Sequence, residues 1–202
     1  LFLKLMARKA RYKWKLFGID TNKKLIEEAS KKIKEVNFVN KNLDNARFLE
    51  GQFDCITCFD VLEHDVRLSD TLVLVKIILK KKGLLFVQCP NYKSVMRILT
   101  GRDWDWLNLP DHIYHFNHDS LTQLLQKHGF SDIHLQTWEP RRDFVQNIRG
   151  KIRKSLPKDS FFGLITLLLV VPLNILWFLL RTLESVYPVG GLIFVQATNN
   201  KP

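Results

Sequence analysis

The 202-residue sequence predicts an α/β domain built on a mostly parallel sheet. Three observations carry this. Apolar runs of strand length alternate with runs of helical periodicity. The connections between them are short. Leu84–Cys89 reads as the kind of apolar strand that a parallel sheet buries on both faces. The length suits one domain with a sizeable core.

Taken in order, Leu1–Tyr12 reads as a helix and Trp14–Ile19 as a short strand ending in Asp20. Asn22–Val36 reads as a second helix, capped by Thr21 or Asn22, with Leu25, Ala29, Ile33 and Val36 as its buried stripe. Asn37–Asn40 is a short strand, and Phe53–Phe59 a stronger one rich in β-formers. Ser69–Leu79 is expected to be a helix whose C-terminus is closed by Lys80, Lys81, Lys82 and Gly83. The Leu84–Cys89 strand stops at Pro90. A short helix over Tyr92–Leu99 follows, then a loop with Trp104, Trp106 and three histidines. Asp119–His128 is a helix stopped by Gly129, Ile133–Trp138 a strand, and Gly191–Thr198 the last strand.

Composition narrows the function classes. Hydrophobic residues make up 46% and charged residues 25%, a globular balance. The first 16 residues carry basic side chains throughout and do not read as a signal peptide. The net charge is +11, and seven basic residues against one acid lie between Arg141 and Lys158, directly before an apolar stretch. That adjacency favours an anionic membrane surface over nucleic acid, since aromatic residues do not interleave with the basic ones as base-stacking platforms require. Cys55, Cys58 and Cys89 do not make a disulfide framework. Cys55 and Cys58 are three apart on a strand and face opposite sides of the sheet. They are expected to be buried, apolar cysteines in a reducing compartment.

Asp20 closes Gly18-Ile19-Asp20. A carboxylate there can accept both ribose hydroxyls of a nucleotide, or can cap the next helix. More specific are Phe53-Asp54-Cys55-Ile56-Thr57-Cys58-Phe59-Asp60-Val61-Leu62-Glu63-His64 and Leu79-Lys80-Lys81-Lys82-Gly83-Leu84-Leu85-Phe86-Val87-Gln88-Cys89-Pro90-Asn91. Further on come Pro110-Asp111-His112-Ile113-Tyr114-His115-Phe116, Ser120-Leu121, Leu124-Leu125 and Gly129-Phe130. Together these phrases resemble the fourth-strand, fifth-strand and following motifs of class I S-adenosylmethionine-dependent methyltransferases, in the branch of ubiquinone-type and bacterial enzymes. The resemblance covers roughly residues 1–138 and the last strand. Lys82 and Leu84 stand where that family usually has Pro and a second Gly. A nicotinamide-dependent dehydrogenase would share the Asp20 logic but not the Val61-Leu62-Glu63-His64 phrase.

The resemblance implies a Rossmann-like seven-stranded sheet with its last strand antiparallel to its neighbours. It implies that the chain begins just after the family's first strand and glycine loop. S-adenosylmethionine would be the cofactor. Asp20 would hold its ribose, Asn42 or Asp44 its adenine, and Asp60 and Val61 its methionine end; Glu63 and His64 would border the substrate. His64 or His112 could serve as general base, although in-line methyl transfer can rest on positioning alone. No metal is expected, because His112 and His115, though at metal-like spacing, sit in a Pro-rich loop with no Cys or carboxylate pair at ligand spacing. The implied reaction is methyl transfer to a small-molecule or lipid-linked acceptor. An inactive, membrane-associated binding module is the alternative.

Phe161–Leu180 holds twenty residues without a charge, long enough to span a bilayer. The flanking strands should share one sheet, which puts both ends of the segment on one side of a membrane. Pro172, beside Asn174, should break or kink a helix there. Two short helices that dip into one leaflet, or lie in the interface, are therefore expected, with Trp177, Arg181 and Tyr187 suited to an interfacial end. A buried hairpin or homodimer interface is the alternative. The domains would be a core over 1–140, a basic and apolar insertion over 141–188, and the last strand and tail over 189–202. The expected location is cytoplasmic and peripheral on the membrane.

Overall fold

The computed structural model describes residues 2–10, 14–155, 168, 170–184 and 187–201. The chain divides into two compact units, Leu1–Leu49 and Glu50–Pro202.

The first unit holds α1 (Phe2–Ala10), β1 (Leu16–Asp20), α2 (Lys23–Lys32) and β2 (Val36–Asn40). Strands β1 and β2 are parallel, with Leu16 opposite Val36 and Asp20 opposite Asn40. Gly18 is needed for this packing, because a Cβ there would sit 2.8 Å from the Phe38 ring. The expected capping holds: the Asn22 side chain accepts from the Leu25 N–H at 3.2 Å. The expected extent of α2 does not. The helix stops at Lys32 and Val36 opens β2, because Ile33 is already extended and the strand ladder with β1 takes over. Nor is the apolar stripe buried as expected. Leu25 is exposed, Ala29 and Ile33 are half-buried, and only Val36 is buried among the described residues of this unit.

The second unit holds β3 (Phe53–Phe59), α3 (Leu68–Ile78), β4 (Leu79–Pro90), α4 (Val95–Thr100), α5 (His118–Lys127), β5 (Phe130–Trp138), α6 (Arg141–Ser155), α7 (Val170–Glu184) and β6 (Leu192–Asn199). Its sheet has the order β3-β4-β6-β5. β3 and β4 are parallel, and β6 is antiparallel to both β4 and β5, as expected for the last strand. Six strands are present among the described residues.

The core sits on this sheet. Leu68, Leu72, Val75 and Ile78 form one buried stripe of α3, and Leu85, Val87 and Cys89 alternate inward along β4 against Ile193, Val195 and Ala197 of β6. The lysine run does not close α3. It opens β4, where the register with β3 slips between Phe53 and Cys55, and Lys80 pairs with Asp54 at 2.6 Å. Asn199 draws this turn in by donating to the carbonyls of Lys76, Leu79 and Lys80. Helix α4 starts at Val95 rather than Tyr92 because Ser94 caps it, accepting from Arg97 N–H. α5 begins with a capping box between Asn117 and Ser120. Cys58 and Cys89 are buried as expected, and burial pushes the Cys58 thiol up to about 12. Cys55 is exposed, on the opposite face of β3, contrary to expectation.

The described residues of the insertion lie largely in two helices, α6 and α7. Part of the uncharged stretch, 161–167 and 169, lies outside the described residues. No described helix is long and apolar enough to cross a membrane. Leu173 and Leu180 of α7 pack with Phe144 of α6 and with Met96 and Trp104, and Trp177 joins them. Trp177 is half-buried and donates its indole N–H to the Glu139 carbonyl at 3.0 Å. Pro172 is the third residue of α7, within the first turn, where a missing N–H is tolerated; the stretch before it, where a break was expected, lies mostly outside the described residues. The other face of α7 exposes Ile175, Leu176, Phe178 and Leu179.

Candidate active site

In the first unit, the candidate residues follow the carboxyl ends of two parallel strands. Asp20 ends β1 and is exposed; its Oδ1 accepts from Asn22 N–H at 2.7 Å, and its carbonyl accepts from the Asn40 side chain at 2.9 Å. Asn42 and Asp44 lie just beyond β2, both exposed, on a short 3-10 turn over Asp44–Ala46.

In the second unit, β3 delivers Asp60 in a left-handed conformation, φ 53°. The Asp60 N–H donates to the Gln88 carbonyl at 3.0 Å, and the Gln88 side chain donates back to the Asp60 carboxylate at 3.2 Å. Val61 follows, exposed. The chain then makes a single 3-10 turn, Leu62–His64, in which Leu62 and Glu63 are buried and His64 is exposed. The Glu63 carbonyl accepts from the N–H groups of Ile113 and Tyr114 at 2.8 and 3.1 Å, which ties the His112 loop to this turn.

That tie assembles a cluster. His64 Nδ1 lies 2.9 Å from the Asp111 carbonyl, and His112 Nδ1 lies 2.7 Å from the Trp106 carbonyl. A carbonyl can only accept, so each Nδ1 carries a proton, and in the neutral imidazole Nε2 is the nitrogen with the lone pair. The two rings are 4.6 Å apart, and one ligand atom each from Glu63, His64 and His112 lie within 4.8 Å of one another. Trp106 stacks on His112 at an interplanar angle of 14°. His115 is turned away, with Nε2 directed at the Leu107 carbonyl.

Glu63 is only 1% exposed, and neither of its carboxylate oxygens has a partner among the described residues. Burial pushes its carboxyl up to about 7, with the nearby Asp60 adding to the rise. Burial also holds His112 below the ordinary histidine range, so its neutral form is favoured. Spacing along the chain gave no carboxylate to accompany His112. In three dimensions Glu63, 49 positions earlier, supplies one.

One cavity reaches the cluster at His112, and a second lies beside it along α6. The first, of about 270 Å³, is lined by Trp106, His112, Arg142, Asp143 and Asn147, among others. The second, of about 720 Å³, is lined by Arg141, Arg142, Arg149 and Arg153. Arg142 and Gln146 line both. Sequence reasoning found the basic run but not its connection to His112, since nothing along the chain links Trp106 to α6.

A family model described as a methyltransferase domain matches residues 1–135. The chain belongs to the methyltransferase domain family. A search of the curated proteins finds no matching sequence. Solved structures share the fold. The methyltransferase is 17% identical to an S-adenosylmethionine-dependent methyltransferase from Archaeoglobus fulgidus, with TM-score 0.64, over 98% of this chain and 80% of that one. A second such enzyme, from Thermotoga maritima, is 16% identical with TM-score 0.60, over 91% and 72% of the two chains. The phosphoethanolamine N-methyltransferase 2 of Haemonchus contortus, in complex with S-adenosylmethionine, is 16% identical with TM-score 0.58, over 96% of this chain and 46% of that one.

Each unit, taken by itself, carries side chains whose chemistry is compatible with part of S-adenosylmethionine. Asp20 is an exposed carboxylate held at a strand end by Asn22, suited to ribose hydroxyls. Val61 is an exposed apolar surface beside the buried, unpartnered carboxylate of Glu63. Asn91, in the Pro90-Asn91 phrase, has a structural task. Buried, it donates to the carbonyls of Pro188 and Gly190 at 3.1 and 2.8 Å and so anchors the approach to β6.

Proposed function

We propose that this methyltransferase acts on a phosphate-bearing, lipid-linked acceptor at the cytoplasmic face of a membrane. The observation that carries this reading is the cavity along α6 lined by four arginines, which shares Arg142 and Gln146 with the cavity lined by His112. Arginine forks match phosphate oxygens bidentately, so the cavity suits an anionic headgroup. The reacting end of such an acceptor would lie toward Glu63, His64 and His112. The Haemonchus contortus enzyme of the same fold is named for phosphoethanolamine, itself a phosphate-bearing acceptor.

S-adenosylmethionine supplies an electrophilic methyl group. We assign Asp20 to its ribose, Asn42 or Asp44 to its adenine, and Asp60 and Val61 to its methionine end. His64 and His112 border the acceptor's nucleophile, and Trp106 stacks against His112. Much of the rate then comes from placing the nucleophile in line with the methyl group.

Membrane attachment would combine two forces. Each arginine near an anionic surface contributes about 1 kcal/mol. Ile175, Leu176, Phe178 and Leu179 offer an exposed apolar face whose burial adds roughly 25 cal/mol per Å². Flotation with phosphatidylglycerol vesicles tests this, together with transfer of radiolabelled methyl groups to a membrane lipid extract. Binding should weaken but persist at high salt, Arg142→Glu with Arg149→Glu should abolish the salt-sensitive part, and label should enter the lipid phase. Failure to float at low salt, with label found only in water-soluble products, would replace this reading with a soluble small-molecule acceptor.

A further inference from the structure

We propose that Glu63, His64 and His112 form a binding site for a divalent first-row transition metal ion. This goes beyond the methyl-transfer reading and does not depend on what the acceptor is. The donor set is two imidazoles and one carboxylate, with one ligand atom of each within 4.8 Å of the others. Two-histidine, one-carboxylate sets suit iron(II), manganese and zinc, and they leave coordination positions open for an oxygen donor.

Each imidazole is already arranged as a ligand. His64 donates its Nδ1–H to the Asp111 carbonyl and His112 donates its own to the Trp106 carbonyl. A backbone carbonyl on one nitrogen fixes the tautomer and frees the other nitrogen to coordinate, which is the usual outer support of a metal-bound histidine. The stacked Trp106 ring further restricts His112. Ions of this class bind at about 2.1 Å, which brings ligand atoms to roughly 3.0–3.4 Å from each other; rotation of the exposed His64 side chain can supply that closure.

Glu63 provides the second, independent observation. It is almost fully buried, yet both of its oxygens lack partners among the described residues. Buried polar atoms in folded proteins are nearly always satisfied, and an unsatisfied one calls for a specific explanation such as an ion. The same peptide holds the His112 loop through its carbonyl, so the fold brings carboxylate and histidine together by design of the backbone. By contrast, His115 spends its Nε2 on the Leu107 carbonyl and His128 spends both ring nitrogens on Leu124 and Ser69.

The experiment uses the full chain without a histidine tag, stripped with chelator and titrated with cobalt(II). One equivalent should bind, give visible d–d absorption and be displaced by zinc. His64→Ala should weaken binding at least tenfold, and because His64 is exposed the variant should keep the wild-type circular dichroism. Glu63→Gln and His112→Ala should do the same, while the exposed control His134→Ala should bind as wild type. Binding of less than a tenth of an equivalent, or stoichiometric binding that survives both His64→Ala and His112→Ala, would overturn the proposal.

Discussion

The turn after β1 and the turn after β3 occupy like places at the ends of parallel strands, but they are built by different means. The first is local: Asp20 is held by Asn22, two residues on, and stays exposed. The second is long-range: Glu63 is buried and its peptide is bonded to Ile113 and Tyr114. A locally built turn can be altered with little effect beyond its ligand. A turn assembled across fifty residues couples chemistry to packing, because the same peptide serves both.

The largest expected effect that would test this contrast is on pH dependence. Burial, then the nearby Glu184 carboxylate, pushes the Glu139 carboxyl up to about 8. The unfolded chain therefore ionises first. Stability is unaffected below about pH 4.5, falls as pH rises from there to about 8, and levels off above, with a slope of at most ~1.4 kcal/mol per pH unit. Glu139→Gln should reduce the slope by this share and abolish what remains of it between about pH 7 and 8, the part due to Glu63 persisting below that, as measured by denaturant melts from pH 5 to 8. A variant with the wild-type slope would show that burial at this end of β5 is not what couples it to protons.

Next is Asn91→Ala, which leaves the Pro188 and Gly190 carbonyls without their donor. It should cost about 3 kcal/mol of unfolding free energy. A loss under about 1 kcal/mol would mean that the approach to β6 is held by other contacts.

Glu63→Gln keeps the shape and removes the charge. It should lower kcat/KM about 100-fold, or ~2.7 kcal/mol, with no loss of fold by circular dichroism. Near-normal turnover would reduce Glu63 to a packing residue. Asp20→Ala should weaken S-adenosylmethionine binding by about 2 kcal/mol in calorimetry, the scale of a hydrogen bond to a charged group, and leave the melting temperature unchanged. Equal affinities would remove Asp20 from the ribose site. The smallest effect is expected for Leu25→Ser on exposed α2, under about 0.5 kcal/mol; a larger loss would mean that the helix covers something its exposure does not reveal.

Much of the fold was legible because its signals are short-range. The Asn22 cap, the β3 run, the apolar β4 and the stop at Gly129 depend on neighbours within a few residues. The end of α2 and the start of β4 were misjudged because strand pairing overrode helical periodicity. Val36 looked like the last turn of a helix until β1 took it as a partner. The lysines looked like a helix terminus until Asn199 drew in the carbonyls at the end of α3.

The sequence by itself determined the class of the protein, the strand-end carboxylates Asp20 and Asp60, and the basic helix that follows β5. Each is a pattern of residue types over a short span, which the chain displays without folding. Tertiary structure alone decided that His112 meets Glu63 and His64, that Arg142 lines two cavities, and that Trp177 is packed inward. Those are contacts between residues dozens of positions apart. They depend on where a sheet places its loops, which periodicity does not encode.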